Sequence, residues 1–264
     1  MPAKLYSFSS SVWASVPRIA LVEKQITDVE IVEVNLFNAE NYSPAYLKIN
    51  KNATVPSLIH HKNNHATIDD STTIAEFLDS AYPEGPSLLP ADEAAAAQVR
   101  ELVAKSHSVD PNLVSLGAVN EQELAQKKPV VTAIMGGRVA ALTRFTEEAP
   151  EHSVFYSEKV DAAKQLIGTY ENPEHAGSLY SAINAEWAKI FAYFDEIELL
   201  LASHDGPYLI GKQYTLADVH FTCLIARLYV NRQDLLFENR PHLLKYWKTV
   251  QTRESFKVVY AELH

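Results

Sequence analysis

Three short stretches in the first third of the chain combine residue types that could bind and activate a small molecule. Ser9-Ser10-Ser11 lies between an apolar run and a helical pattern. A serine is too weak an acid to be a free nucleophile at neutral pH and usually needs an adjacent base, and no histidine lies nearby in the sequence. Its hydroxyl can instead donate a hydrogen bond to a ligand's thiolate. With a helix N-terminus behind it, such a bond lowers a thiol pKa from its usual ~8.5. A polar loop without chemistry reads the same way. Thr54-Val55-Pro56 follows a loop and leads into a strand. Pro56 cannot donate a ladder hydrogen bond. A cis Val55–Pro56 bond would turn the Val55 amide and carbonyl toward an extended peptide ligand, whereas a trans bond would make an ordinary strand start. Asp70-Ser71 opens a helical pattern. Helix N-terminal amides attract a carboxylate, and a serine hydroxyl adds a donor. An acid beside them can hold an ammonium, so the pair suits an α-amino acid head group. Either residue could equally cap its own helix.

The elements that position these groups follow from the pattern. Lys4–Phe8 reads as a strand, and 15–24 as a helix with Ser15 as N-cap and Pro17 in its first turn. Val29–Val34 is a second strand, and 43–49 a short helix. Ser57–His60 and Ala66–Ile68 form a hairpin. The helix 71–80 places Ile74, Ala75, Phe77 and Leu78 at helical spacing. The order β-α-β-α-β-β-α implies a parallel, right-handed pairing of the first two strands and an antiparallel pairing of the last two. Residues 82–90 are rich in Pro and Gly and read as a linker. Nearly everything after residue 92 reads as helix. Ile183, Trp187, Ile190, Phe194, Ile197 and Leu201 make a core seam. Thr215-Leu216-Ala217-Asp218 has the form of a capping box, with Tyr208, Leu209 and Ile210 placed to staple it. Residues 121–180 carry no clear pattern.

Composition sets the class. The chain has 264 residues, enough for one or two domains, with 47% hydrophobic and 21% charged residues. Its net charge of −10 disfavours nucleic acid and anionic membranes as partners. The one cysteine, Cys223, allows neither an intrachain disulfide nor a CxxC site, and mid-helix it reads as a small buried hydrophobe. No apolar run approaches the ~20 residues of a membrane span, and the first ten residues lack the apolar core of a signal peptide. A cytosolic (cytoplasmic) protein is the expectation. His60, His61 and His65 straddle the hairpin without a tight spacing and read as surface histidines, so no metal is expected. His107 and Asp110 could pair on a helix face.

Together these stretches resemble the serine-type cytosolic glutathione transferases. Ser11, seven residues before Arg18-Ile19-Ala20-Leu21, matches the family's opening. The run 46–56 looks like its Asn-Pro-x-Gly-x-Val-Pro stretch. Asp70-Ser71-x-x-Ile74-x-x-x-Leu78-x-x-x-Tyr82-Pro83 resembles its acid-Ser helix and exit, and 208–218 its helical-domain signature. The resemblance implies an α/β thioredoxin-like N-terminal domain over 1–84 and an all-α C-terminal helical domain over 92–264. Glutathione would be the co-substrate. Val55 would pair through its backbone with the cysteinyl unit beside a cis Pro56. Ser71 would bind the γ-glutamyl carboxylate and Asp70 its amino group. Ser11 would face the sulfur, with Ser10 one residue away as the alternative, and Tyr6 is misplaced for that role. Lys51 and Ala53 depart from the motif's proline and glycine, and Lys48, Lys51 and Asn52 are candidates for the glycyl carboxylate. The absence of cysteine near Ser11 argues against branches that use a protein thiolate.

The opening run 11–21 and the long helical domain look most like the etherase-related branch. That likeness implies thiolate attack on an electrophilic, aromatic small molecule, with Trp13 beside the thiol site packing on the substrate. The family is usually homodimeric. The alternatives are a carrier or regulatory protein of the same fold, and a dehalogenase or isomerase that regenerates glutathione.

Overall fold

The structure is a computed structural model that describes residues 3–261, apart from the side chain of residue 234. Residues 1–2 and 262–264, at the outer ends of the two expected domains, lie outside the described residues.

The strands are β1 (Ala3–Ser7), β2 (Val29–Glu33), β3 (Ser57–Ile59) and β4 (Thr67–Ile68). They form one sheet in the order β2-β1-β3-β4. β1 pairs in parallel with β2, Leu5 opposite Ile31, and antiparallel with β3, Leu5 opposite Leu58. β3 and β4 pair antiparallel, as the hairpin pattern requires. The first helices are α1 (Ser15–Glu23), α2 (Pro44–Leu47) and α3 (Ser71–Ala81). Ser15 is the first helical residue of α1 rather than its cap. Ala14 holds the cap position without a side-chain bond, and the Ser15 hydroxyl donates to the Ser11 carbonyl at 3.0 Å. The helix expected over 43–49 spans Pro44–Leu47, and Ser43 caps it by accepting from the Tyr46 amide.

The remaining helices are α4 (Glu93–Ser106), α5 (Pro111–Leu116), α6 (Glu121–Glu148), α7 (Ser153–Glu171), α8 (Gly177–Ala202), α9 (Leu216–Leu236), α10 (Pro241–Gln251) and α11 (Glu254–Val259). By contact the chain divides into two compact units. One joins the residues up to Glu33, Val55–Pro111 and those from Lys189 onward; the other joins Val34–Thr54 and Asn112–Ala188. These units cut across the linker at 82–90, because α1 packs on α9 and α11 as well as on α3.

In the first unit, the buried face of α1 (Val16, Ile19, Ala20, Leu21) joins sheet and helices. The start of α9 is fixed by the expected capping box. Asp218 accepts from the Thr215 amide at 2.8 Å, the Thr215 hydroxyl at 2.9 Å and the Leu209 amide at 2.9 Å. The linker is anchored there too, since the Leu216 amide donates to the Leu88 carbonyl. In the second unit, α6 and α7 pack together around Leu124, Val131, Met135, Ala163 and Tyr170. A second cluster joins Leu142, Phe145 and Tyr156 to Leu47 and Ala53. The six seam residues of α8 are all buried.

Candidate functional site

The loop after β1 leads into the N-terminus of α1. The Ser11 amide donates to the Phe8 carbonyl at 2.9 Å. Its half-buried Oγ accepts a long 3.4 Å bond from the Ala14 amide, which leaves its proton free to donate. Ser9 is exposed and turned to Glu33, whose Oε1 accepts from its amide and hydroxyl at 3.2 and 3.3 Å. Ser10 is exposed, and its carbonyl accepts from Arg227 Nη2. All three serines line a cavity of about 340 Å³ whose far side is α9 and the chain after α11.

Val55 and Pro56 stand just before β3, and the bond between them is cis. The ladder register starts at Ser57, so Val55 lies outside it. Asp70 is the N-cap of α3: its Oδ1 accepts from the Thr73 amide at 2.8 Å and the Thr73 hydroxyl at 2.9 Å. Asp70 thus caps α3 through Oδ1, and no bond to its Oδ2 is made among the described residues. Ser71 is buried at the first helical position, where its amide is one of the four that a helix N-terminus leaves unpaired.

His107 connects this helix start to Trp13. Its Nε2 lies 3.5 Å from Thr72 Oγ1 and 2.9 Å from His220 Nδ1, and its ring stacks on the Trp13 indole at 3.9 Å. The sequence offers Asp110 as a possible partner of His107; the ring bond seen is to His220, distant in sequence. Trp13 is half-buried in this stack and is not among the residues lining the cavity. Lys51 and Asn52 are exposed and belong to the other unit. Their loop is held from within: the Asn52 amide donates to Asn50 Oδ1, and Asn41 Nδ2 donates to the Ala53 carbonyl at 2.7 Å. Ala53 has φ 54°, a left-handed conformation that explains why the motif carries glycine there.

The histidine reading needs one correction. His60 is not a surface residue but fully buried. Its Nδ1 accepts from the Lys62 amide at 3.0 Å, so Nε2 carries the proton and donates to the Tyr82 hydroxyl at 2.8 Å. That hydroxyl in turn donates to Asp28 at 2.8 Å. Burial pushes the His60 pKa down. Among the described residues no group of three or more His, Cys, Asp or Glu is arranged to hold a metal. Cys223 is buried, and burial pushes its thiol up to about 12. It offers no thiolate at neutral pH.

The sequence singled out neither Arg227 nor His220, because both sit on α9 far from the serine loop and only the fold brings them near it. Arg18 appeared only as part of a motif.

Two family models match the chain: the N-terminal domain of glutathione S-transferases over residues 5–86 and the C-terminal domain over residues 161–260. Glutathione S-transferase Z2 of Arabidopsis thaliana is 33% identical over 254 residues, covering 96% of this chain and 88% of the plant protein. The chain belongs to the glutathione S-transferase family. The transferase is also similar to a tetrachloro-p-hydroquinone reductive dehalogenase of Sphingobium chlorophenolicum, at 25% identity over 96% of this chain and 93% of that one. Its fold is shared by the solved β-etherase LigF of Sphingobium sp. strain SYK-6, with a TM-score of 0.73 at 24% identity, covering 99% and 100% of the two chains. The thioredoxin-like sheet and the helical C-terminal part are thus those of the family, whose co-substrate is glutathione. No helix among the described residues is long and apolar enough to cross a membrane.

Proposed function

We propose that this transferase lowers the thiol pKa of bound glutathione with the Ser11 hydroxyl and directs the thiolate at an electrophilic aromatic small molecule. The observation that carries the reading is Ser11 itself. It is half-buried at the N-terminus of α1, its proton is free to donate, and the 340 Å³ cavity opens beside it. Hydroxyl and helix end favour the anion together. The protein supplies that pKa shift and proximity, and no covalent intermediate is needed.

In this reading residues 1–84 bind glutathione. Val55 beside Pro56 pairs with the cysteinyl unit, Ser71 takes the γ-glutamyl carboxylate, the free Oδ2 of Asp70 takes its ammonium, and Lys51 or Asn52 takes the glycyl carboxylate. Residues 92–264 supply most of the second-substrate pocket, and Trp13, stacked on His107 outside the cavity lining, would reach the substrate only by leaving that stack. An aryl ether of the kind β-etherases cleave is one electrophile of this class. A cytosolic homodimer completes the proposal, as the family suggests. Chemistry through a protein thiolate has no support, since Cys223 is buried.

The deciding measurement is a pH titration of bound glutathione by thiolate absorbance in the ultraviolet. Wild type should show a thiol pKa below the usual ~8.5. Ser11→Ala should restore it, and Ser10→Ala, which leaves the Arg227-bound carbonyl in place, should not. Binding with an unshifted pKa would leave the carrier reading in front.

A further inference from the structure

The cavity beside Ser11 carries an unbalanced charge. On one side stand the serine loop and Arg18 of α1; on the other stand Ala226, Arg227 and Val230 of α9, with Val258 beyond. Two guanidinium groups line it, and no acidic side chain does among the described residues. This is unexpected in a chain with net charge −10. Among the described residues neither arginine has a carboxylate partner. Nε and Nη1 of Arg18 are buried with no hydrogen-bond partner. Among the described residues Arg227 donates to the neutral Ser10 carbonyl, and burial works against its charge.

Both side chains are half-buried, and cations partly withdrawn from water without counter-ions carry a cost that a fold normally avoids by pairing or solvating them. Arg253 shows the ordinary solution in the same unit: it is bound by Glu23 and stacks over Tyr214. Arg18 and Arg227 have no such neighbour among the described residues, and the remaining lining combines the serines and Tyr260 with an apolar side at Val12, Ala226, Val230 and Val258. Such a lining suits a molecule with an apolar body and one anionic end.

We propose that this cavity takes the second substrate of the transferase by its anionic end, a carboxylate on an aromatic electrophile, seated by Arg18 and Arg227 next to Ser11. The assignment rests on the transferase reading for the word substrate, while the anion site itself does not. Charge-assisted, two-pronged bonding to guanidinium would make the carboxylate the main determinant of specificity.

The test compares 4-nitrobenzoate with its neutral isostere 4-nitrobenzamide, each titrated calorimetrically into the full chain saturated with glutathione. The benzoate should bind at least about tenfold more tightly. The preference should shrink with rising ionic strength. Arg18→Gln and Arg227→Gln should each remove most of it, while Arg227→Lys keeps part. Equal affinities, no benzoate binding, or a preference untouched in both glutamine variants would overturn the proposal. So would displacement of benzoate by glutathione, since the cavity would then hold a carboxylate of the tripeptide. The wild-type comparison and its salt dependence stand even where a variant fails to fold. A benzoate preference without a lowered thiol pKa would keep the anion site and remove only the transferase reading.

Discussion

His107 and His220 meet Nε2 to Nδ1 at 2.9 Å, inside the fold and beneath the Trp13 ring. One nitrogen donates and the other accepts, so a single proton serves the pair at that contact. His220 is fully buried, and its Nε2 has no partner among the described residues. Burial pushes both histidines below the ordinary range. The charge of Asp70 works weakly against this for His107, and His107 adds to it for His220.

This pair predicts acid sensitivity. A histidine whose folded pKa is depressed contributes stability above its unfolded value of ~6.5, and loses it as pH falls toward the folded value. His60 is depressed by burial as well. Each group can tilt stability by up to about 1.4 kcal/mol per pH unit. Asp218 runs the other way: burial raises it to about 6, so its contribution is present at low pH and lost as pH rises through about 6. The melting temperature should therefore fall between about pH 7.5 and about pH 6. In His220→Gln that fall should be shallower, and an equal slope in the two proteins would show that the pair does not titrate with folding.

Asp79 ties α1, α3 and the linker together, and its loss should be severe. Lys24 Nζ lies 2.9 Å from Asp79 Oδ1, with side chains only 1% and 10% exposed. The same carboxylate accepts from the Leu88 and Leu89 amides at 2.9 and 3.1 Å. Removing one member of a buried pair leaves an uncompensated charge. Asp79→Ala should cost about 3–5 kcal/mol in urea unfolding. Lys24→Met should cost less, because the two amides keep their acceptor. If both substitutions cost the same, the linker bonds carry no weight.

Asp218 should matter comparably. It is buried and serves three donors, two from Thr215 and one from Leu209. Asp218→Ala leaves all three without an acceptor and should cost about 2–4 kcal/mol. A loss below about 1 kcal/mol would mean that water replaces the carboxylate.

These anchors also show which parts of the chain could be read in advance. Thr215 and Asp218 sit three residues apart, so their bond is written in the spacing. So is the regular seam from Ile183 to Leu201, and the serine-type resemblance supplied the cis bond before Pro56. The helix α6 was opaque for a physical reason. Its buried residues Leu124, Val131, Met135, Leu142 and Phe145 leave a seam too narrow to mark a face. Pro129 interrupts it, and Val130 stands 62% exposed. The cavity was opaque for another reason. Arg18 and Arg227 lie more than two hundred positions apart, and each alone is an ordinary helical arginine. His60 departs from the expected surface position because its ring is enclosed by Phe77 and Tyr82, contacts that come from α3 and the chain after it and leave no mark in the hairpin's spacing.

Cys223 gives the sharpest check on which sulfur does the chemistry. It lines the same cavity as Ser11, so a protein-thiol mechanism would have to use it. Burial holds its pKa at about 12, with nearby Tyr260 and Arg18 working weakly against that shift. The nucleophilic thiolate is then nearly absent at neutral pH, and the residue is fully buried at the cavity wall. Native protein should resist iodoacetamide at about pH 8, while protein in urea should be alkylated stoichiometrically, as mass spectrometry would read directly. Cys223→Ser should leave the thiol pKa of bound glutathione unchanged, while any loss of stability reports only the buried hydroxyl. Rapid alkylation of the folded chain, with protection by an aromatic electrophile, would instead place the reacting sulfur on the protein and displace Ser11 from its role.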